Sequence, residues 1–329
     1  MNQDISICVL TENEMGWTEP FELDKVQILD NYYLSAQKSD IAFLKKMDTA
    51  RLLAGFRTTA GIDTKGVRPY GGWEDSLLGG HCVGHYLTAL AQAVKVTGDK
   101  ELKEKSQTLI AGLEECQKKL GTGFLFGAKV EDKEDVEKQF DILEGKKKGE
   151  TWVPWYNMHK VLAGLVDTYK YTGNETALLV AEKLGDWIYA RVSKWDLKTN
   201  QKVLETEYGG MNDCLYELYS YSHNKHHLEA AQKFDEKALF LTAAKGEKNC
   251  LDGKHANTQI PKFIGAIKRY NVLKQLGEAK QEDEAYLADA EKFFEMVVKR
   301  HSFVTGGISV MEHFRKDYHL DEIRTQTNC

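Results

Sequence analysis

Apolar side chains recur three and four residues apart through four long stretches of this chain, and each stretch is broken once by a short turn. Residues 83–117 read as a helix, a Thr-Gly-Asp turn and a second helix. Residues 155–192 repeat the plan with Thr-Gly-Asn, residues 211–234 with His-Asn, and residues 260–298 with a longer turn. That spacing gathers the apolar positions on one face of each helix. The glycine or asparagine in each turn suits the left-handed position that ends the first helix, and the polar residue after it suits a cap for the second. A further helix is expected at about 38–56.

A pair of antiparallel helices cannot bury its own apolar face, so such pairs must stack on one another. An open superhelix and a closed toroid both satisfy this. The segments ahead of each first helix favour the toroid: "RPYGGWEDSLLGGHCVGHYL", "TWVPWYNMHK", "EYGGMNDC" and "DGKHANTQIPK" are rich in glycine, aromatics, histidine or amides. In a ring of hairpins these loops converge at one end and build a single concave site. The expectation is one all-α domain over residues 1–329, an (α/α)6-type toroid of helical hairpins. Four pairs and one extra helix fall short of six pairs, so the ring is expected to be incomplete.

Composition supports this picture. Only 4 prolines occur in 329 residues, and 42% hydrophobic content suffices for a sizeable core. A net charge of -6, with "GKKKGE" at 145–150 as the one basic cluster, argues against a nucleic-acid partner. The N-terminus lacks a basic start followed by an apolar run, and no segment has the apolar length of a membrane span, so no membrane partner and a cytoplasmic location are expected. Cys8, Cys82, Cys116, Cys214, Cys250 and Cys329 form no CxxC pair and fit neither a disulfide framework nor a zinc knuckle.

The loops bring Trp73 and Glu74, His81 and His85, Trp152, Trp155 and His159, Asn212 and Asp213, His255, Asn257 and Glu312. Aromatic faces with imidazoles, amides and carboxylates suit a sugar, whose C–H faces lie on rings while its hydroxyls take polar partners. His85 and His159 fall near the starts of first helices. His81 and His85 have no third ligand at recognisable spacing and do not read as a metal site. Cys82, Cys116 and Cys214 read as small core residues, and His226 and His227 as solvated. "KHANTQIP" joins His255 to an amide and a hydroxyl in a loop closed by Pro261 at a helix start. In "FVTGGISVMEHF", Glu312 stands among Met311, Phe314 and a Gly-Gly turn, an environment that would raise a carboxyl's proton affinity for acid–base work. Asp317, Asp321 and Glu322 read as a polar tail.

"YGGWEDSLLGGHCVGHYLTALA", "PWYNMHKVLAGLVDTYKYTGN", "EYGGMNDCLYELY", "HANTQIPKFIGAIKRY" and "FVTGGISVMEHF", in this order, resemble the glycoside hydrolases of families 127 and 146, the β-L-arabinofuranosidase type. The resemblance implies an (α/α)6 barrel followed by β-sandwich domains, and retaining hydrolysis of terminal β-L-arabinofuranosyl groups. It makes Glu312 the general acid/base and places His255, His85, His159 and Asn212 on the sugar; Trp73 is a further sugar-contact candidate. It also implies a cysteine thiolate nucleophile held with zinc by a Glu-x-Cys pair soon after the acid/base and by a later cysteine pair. The sequence ends at "RTQTNC", so Cys329 is at most the edge of that metal site. The chain is therefore expected to bind no zinc by itself and to be inactive alone, with zinc in the full-length protein and a homodimer possible. Two other readings stay open: a helical-repeat interaction module, and an (α/α) toroid epimerase or lyase.

Overall fold

The computed structural model describes residues 20–321 except 131 and 207–208; the opening stretch, Cys8, Glu322 and Cys329 lie outside the described residues. In chain order its α-helices are α1 (Asn31–Lys46), α2 (Thr49–Thr59), α3 (His81–Thr97), α4 (Lys100–Leu120), α5 (Lys138–Leu143), α6 (Pro154–Thr172) and α7 (Glu175–Val192). They continue as α8 (Leu197–Thr206), α9 (Met211–Ser222), α10 (Lys225–Lys233), α11 (Lys237–Ala244), α12 (Ala256–Gln275) and α13 (Gln281–Arg300). Beyond isolated bridges at His255, Val310 and His313, no strand occurs among the described residues.

The four predicted hairpins are α3/α4, α6/α7, α9/α10 and α12/α13. Gly98 and Gly173 end α3 and α6 in the left-handed region, and Asp99 and Asn174 accept the N–H groups of Leu102 and Ala177 to start the partners. In the third turn His223, not the asparagine, takes the left-handed position (φ 51°), while Asn224 caps α10. The single helix expected at about 38–56 is two. Asp48 accepts from Ala50 and Arg51 N–H, and so restarts the chain as α2 after an extended Met47. Helix α12 begins at Ala256, which puts Pro261 inside it rather than at its start. In the second turn the ring forgoes only one backbone bond.

Helix α3 packs on α6, α6 on α9 and α9 on α12, while α4 packs on α7 and α7 on α10, giving an all-α toroid of helical hairpins with an inner and an outer layer. Close approach is built into the sequence. A Cβ on Gly84 would lie 1.9 Å from the Lys160 carbonyl oxygen, and one on Gly164 would lie 2.5 Å from the Gly84 oxygen. In the outer layer His227 is buried against Gly185 and bonds Ser222 Oγ through Nδ1 at 2.8 Å, so the helix histidine expected in solvent is an interhelical contact.

One apolar core runs from α2 to α10 and contains an aromatic knot of Phe124, Phe126, Phe140, Trp155, Trp187, Trp195 and Phe234. A second core, around α11, α12 and α13, closes on Phe314. Between them lie a small apolar cluster of Tyr219, Val272 and Leu273 and a buried polar network. Asp235 accepts from Tyr216 Oη (2.6 Å), Arg269 (3.0 Å) and Asn212 Nδ2 (3.2 Å), and Arg269 also holds Asp283. Directional bonds of this kind fix how the last hairpin sits against the third. No described helix is long and apolar enough to cross a membrane.

Candidate active site

Backbone pairing just ahead of α12 delivers Glu312. Ala256 N–H donates to the Glu312 carbonyl at 2.8 Å, Gly253 N–H to that of Phe314 at 3.0 Å, and Phe314 N–H to that of Lys254 at 2.9 Å. Phe314 is fully buried in the second core and pins this segment. His255 Nε2 then lies 3.3 Å from Glu312 Oε2, and the His313 ring meets the His255 ring edge-on at 5.1 Å. Met311 and Glu312 both have positive φ (51° and 68°). Two successive non-glycine residues in the left-handed region cost energy, and such outliers persist where the surroundings impose them, often at functional sites. One expectation fails here: the Glu312 side chain is 52% exposed and Met311 is 61% exposed, so neither Met311 nor the inward-turned Phe314 covers the carboxyl.

A row of rings crosses the starts of α3 and α6. His81 stands 6.2 Å from His85 and 5.9 Å from Tyr156, whose ring is 6.4 Å from that of His159. His159 abuts the loop before α9, because a Cβ on Gly210 (φ 121°) would meet its Cε1 at 2.1 Å. The neighbouring Gly209 N–H donates to the Thr258 carbonyl of α12 at 3.1 Å. The loops that begin the inner helices therefore meet, as the hairpin argument requires. Burial and the nearby Lys160 push the His85 ring down to about 4 and hold His159 well below its ordinary value. Both rings are neutral near pH 7, so each has one donor and one acceptor nitrogen.

Other candidates lie elsewhere. Asn212 is buried beneath the site: its Nδ2 donates to Asp235 and to the Lys262 carbonyl, and its side chain sits where a Cβ on Gly265 would be. It holds α9 to α12, and the hydrogens expected to meet a sugar are already used. Trp155 belongs to the aromatic knot. Trp73 and Trp152 are exposed, Trp73 with its ring 6.3 Å from His81. Asp317 is no free tail residue; its carboxylate bonds Arg300 at 3.0 Å. His313, Tyr156 and Lys160 escaped the sequence reading, although Tyr156 and Lys160 stand inside the "PWYNMHK" stretch.

For zinc, Cys329 lies outside the described residues, and the groups described around Glu312 are imidazoles rather than thiols. They do not make the thiolate set that the resemblance implies. The structure does assemble Glu74, His81 and Cys82, with one possible ligand atom from each within 4.8 Å of the others. The sequence reading paired His81 with His85; the structure instead gathers Glu74 and Cys82 about His81, with Cys82 half-buried at the edge of the first core.

Residues 25–329 match the family described as β-L-arabinofuranosidase, GH127 catalytic domain. The fold is similar to that of a GH127 β-L-arabinofuranosidase from Geobacillus stearothermophilus T6, with 18% identity, a TM-score of 0.55, and coverage of 88% of this chain and 46% of that one. It is similar also to a solved GH127 β-arabinofuranosidase, with 16% identity, a TM-score of 0.59, and coverage of 92% and 47%. The chain thus spans about half the length of these solved structures, which at such identities speak for the fold alone. No curated protein matches it. Because the family match covers nearly the whole chain, this protein belongs to the GH127 β-L-arabinofuranosidase catalytic-domain family.

Proposed function

We propose that the chain is the catalytic part of a retaining glycoside hydrolase that removes terminal β-L-arabinofuranosyl groups from glycans or glycoproteins. The observation that carries the reading is the His255–Glu312 pair, 3.3 Å apart, with Glu312 held in left-handed backbone. In the first step the Glu312 carboxyl gives its proton to the leaving glycosidic oxygen as that bond breaks and the nucleophile bonds the anomeric carbon. In the second, the carboxylate takes a proton from the water that replaces the nucleophile at the anomeric carbon. His255 positions the carboxyl, and the neutral imidazoles of His85 and His159 with the exposed ring of Trp73 suit the hydroxyls and C–H faces of a pentose. The nucleophile in this reading is a thiolate outside the described residues, with zinc as its partner when bound.

The test is release of L-arabinose from a synthetic β-L-arabinofuranoside by zinc-loaded protein, beside calorimetry of L-arabinose binding to the chain itself. Binding that weakens in His255→Ala supports the reading. A folded Glu312→Gln protein with undiminished release would remove Glu312 from its role.

A further inference from the structure

The ring row ends in a group that sugar chemistry does not use. Gly79 and Gly80 turn the chain back on itself, Gly80 with φ 93°, so that the carboxylate of Glu74 reaches the start of α3. There it accepts Gly80 N–H at 2.9 Å through Oε2 and Cys82 N–H at 3.2 Å through Oε1. The next two side chains are His81, 7% exposed, and the half-buried Cys82.

The imidazole is oriented as a metal ligand would be. Its Nδ1 stands 2.7 Å from the Leu78 carbonyl, the partner that places the proton on Nδ1; Glu74 Oε1, 3.0 Å from the same nitrogen, would have to turn from it to join a metal at Nε2. The other nitrogen, Nε2, faces Cys82 Sγ at 3.6 Å. Ligating histidines commonly donate their second N–H to a carbonyl or carboxylate in this way, which fixes the ring. Nitrogen and sulfur bound to one tetrahedral zinc at about 2.0 and 2.3 Å stand roughly 3.5 Å apart. The observed separation matches that span.

Charge also balances. The positive end of a helix opposes a cation but favours a thiolate. With Cys82 ionised, the thiolate and the Glu74 carboxylate together neutralise a divalent ion. Carboxylate, imidazole and thiolate form a borderline-soft set of the kind that takes zinc or cobalt, and three protein ligands leave a fourth position for water.

We propose that Glu74, His81 and Cys82 form a site for a zinc-class divalent cation at the N-terminal end of α3, independent of any site that includes Cys329. A bound ion ties the loop carrying Trp73 to the helix carrying His85. Binding displaces the thiol proton to solvent and involves no redox change.

The experiment titrates metal-free Cys329→Ala protein with Co²⁺ and reads the thiolate-to-cobalt charge-transfer absorption and the tetrahedral d–d bands. One equivalent is expected to develop both and to be displaced by Zn²⁺. Cys82→Ser, a small change at a half-buried position, removes the charge-transfer band, and Glu74→Gln weakens binding about 10- to 100-fold, the range for altered metal-site partners. Alkylation mapped by mass spectrometry gives a readout without a site variant: Zn²⁺ shields Cys82 and leaves Cys250 unchanged. A charge-transfer band that survives Cys82→Ser, or folded protein in which Co²⁺ raises no band and Zn²⁺ gives Cys82 no protection, would overturn the proposal.

Discussion

Glu312 Oε2 meets His255 Nε2 at 3.3 Å although 57 residues separate the two in sequence. The contact arises from backbone pairing between the turn at 311–314 and the strand-like approach to α12, not from either side chain alone. Changing Glu312 therefore tests chemistry more than folding, because its side chain is half-exposed while its main chain carries the pairing. In the zinc-loaded full-length protein, Glu312→Gln is expected to lower kcat on an alkyl β-L-arabinofuranoside by about 10²- to 10⁴-fold, the usual worth of a general acid/base. The loss should shrink with an activated aryl leaving group, which needs less protonation; equal losses on both substrates would contradict the assignment.

His255→Ala removes the partner of that carboxyl. A hydrogen bond to a charged group contributes about 1.5–3 kcal/mol, so kcat/KM should fall roughly 10- to 150-fold. Steady-state kinetics with the thermal midpoint checked alongside distinguishes this from unfolding.

Gly210→Ala should harm the site through His159. The added methyl group would stand 2.1 Å from the ring, at a φ of 121° that suits only glycine. Backbone strain of about 1–3 kcal/mol and a displaced imidazole are expected together. Denaturant unfolding should report the first and weaker L-arabinose binding the second.

Asp235→Ala leaves buried Arg269 with only Asp283 of its two carboxylates and frees Tyr216 and Asn212 from their shared acceptor. Breaking a buried pair on one side costs about 3–5 kcal/mol. The midpoint of urea unfolding should drop accordingly, and a change below about 1 kcal/mol would mean the network contributes little.

Acid should destabilise the protein through its buried histidines. His85 is held down to about 4 and His159 well below its usual value, both by burial and then by Lys160. Below about pH 6.5 the unfolded chain binds protons that these folded rings refuse, so stability falls as pH drops from there toward about 4 for His85 and lower for His159. Each depressed histidine adds at most about 1.4 kcal/mol per pH unit to the slope, and partial exposure of His85 reduces its share. His159→Gln should flatten the curve between pH 4.5 and 6.5 (about two units below the free imidazole value).

The hairpins, their turns and their caps were legible because they depend on neighbours in sequence: Gly98 with Asp99 and Gly173 with Asn174 act within a few residues. Glu312 and His255 stood out because each combines a reactive group with unusual local backbone or composition. The short helices α8 and α11 escaped notice because each has only two or three buried positions from which to read a period.

What sequence alone determined, then, is local: helix length, polarity of faces, and the loops that must begin the inner helices. Tertiary structure decided which polar groups face outward. Asn212 looks like a ligand-binding amide until Asp235 and the Lys262 carbonyl occupy it, and His227 looks solvated until Gly185 makes room for it. Glu74 becomes a neighbour of His81 and Cys82 only because the loop before α3 folds back. The physical reason is common to all three: burial and hydrogen-bond pairing depend on the packing of segments distant along the chain, which no periodicity within a segment records.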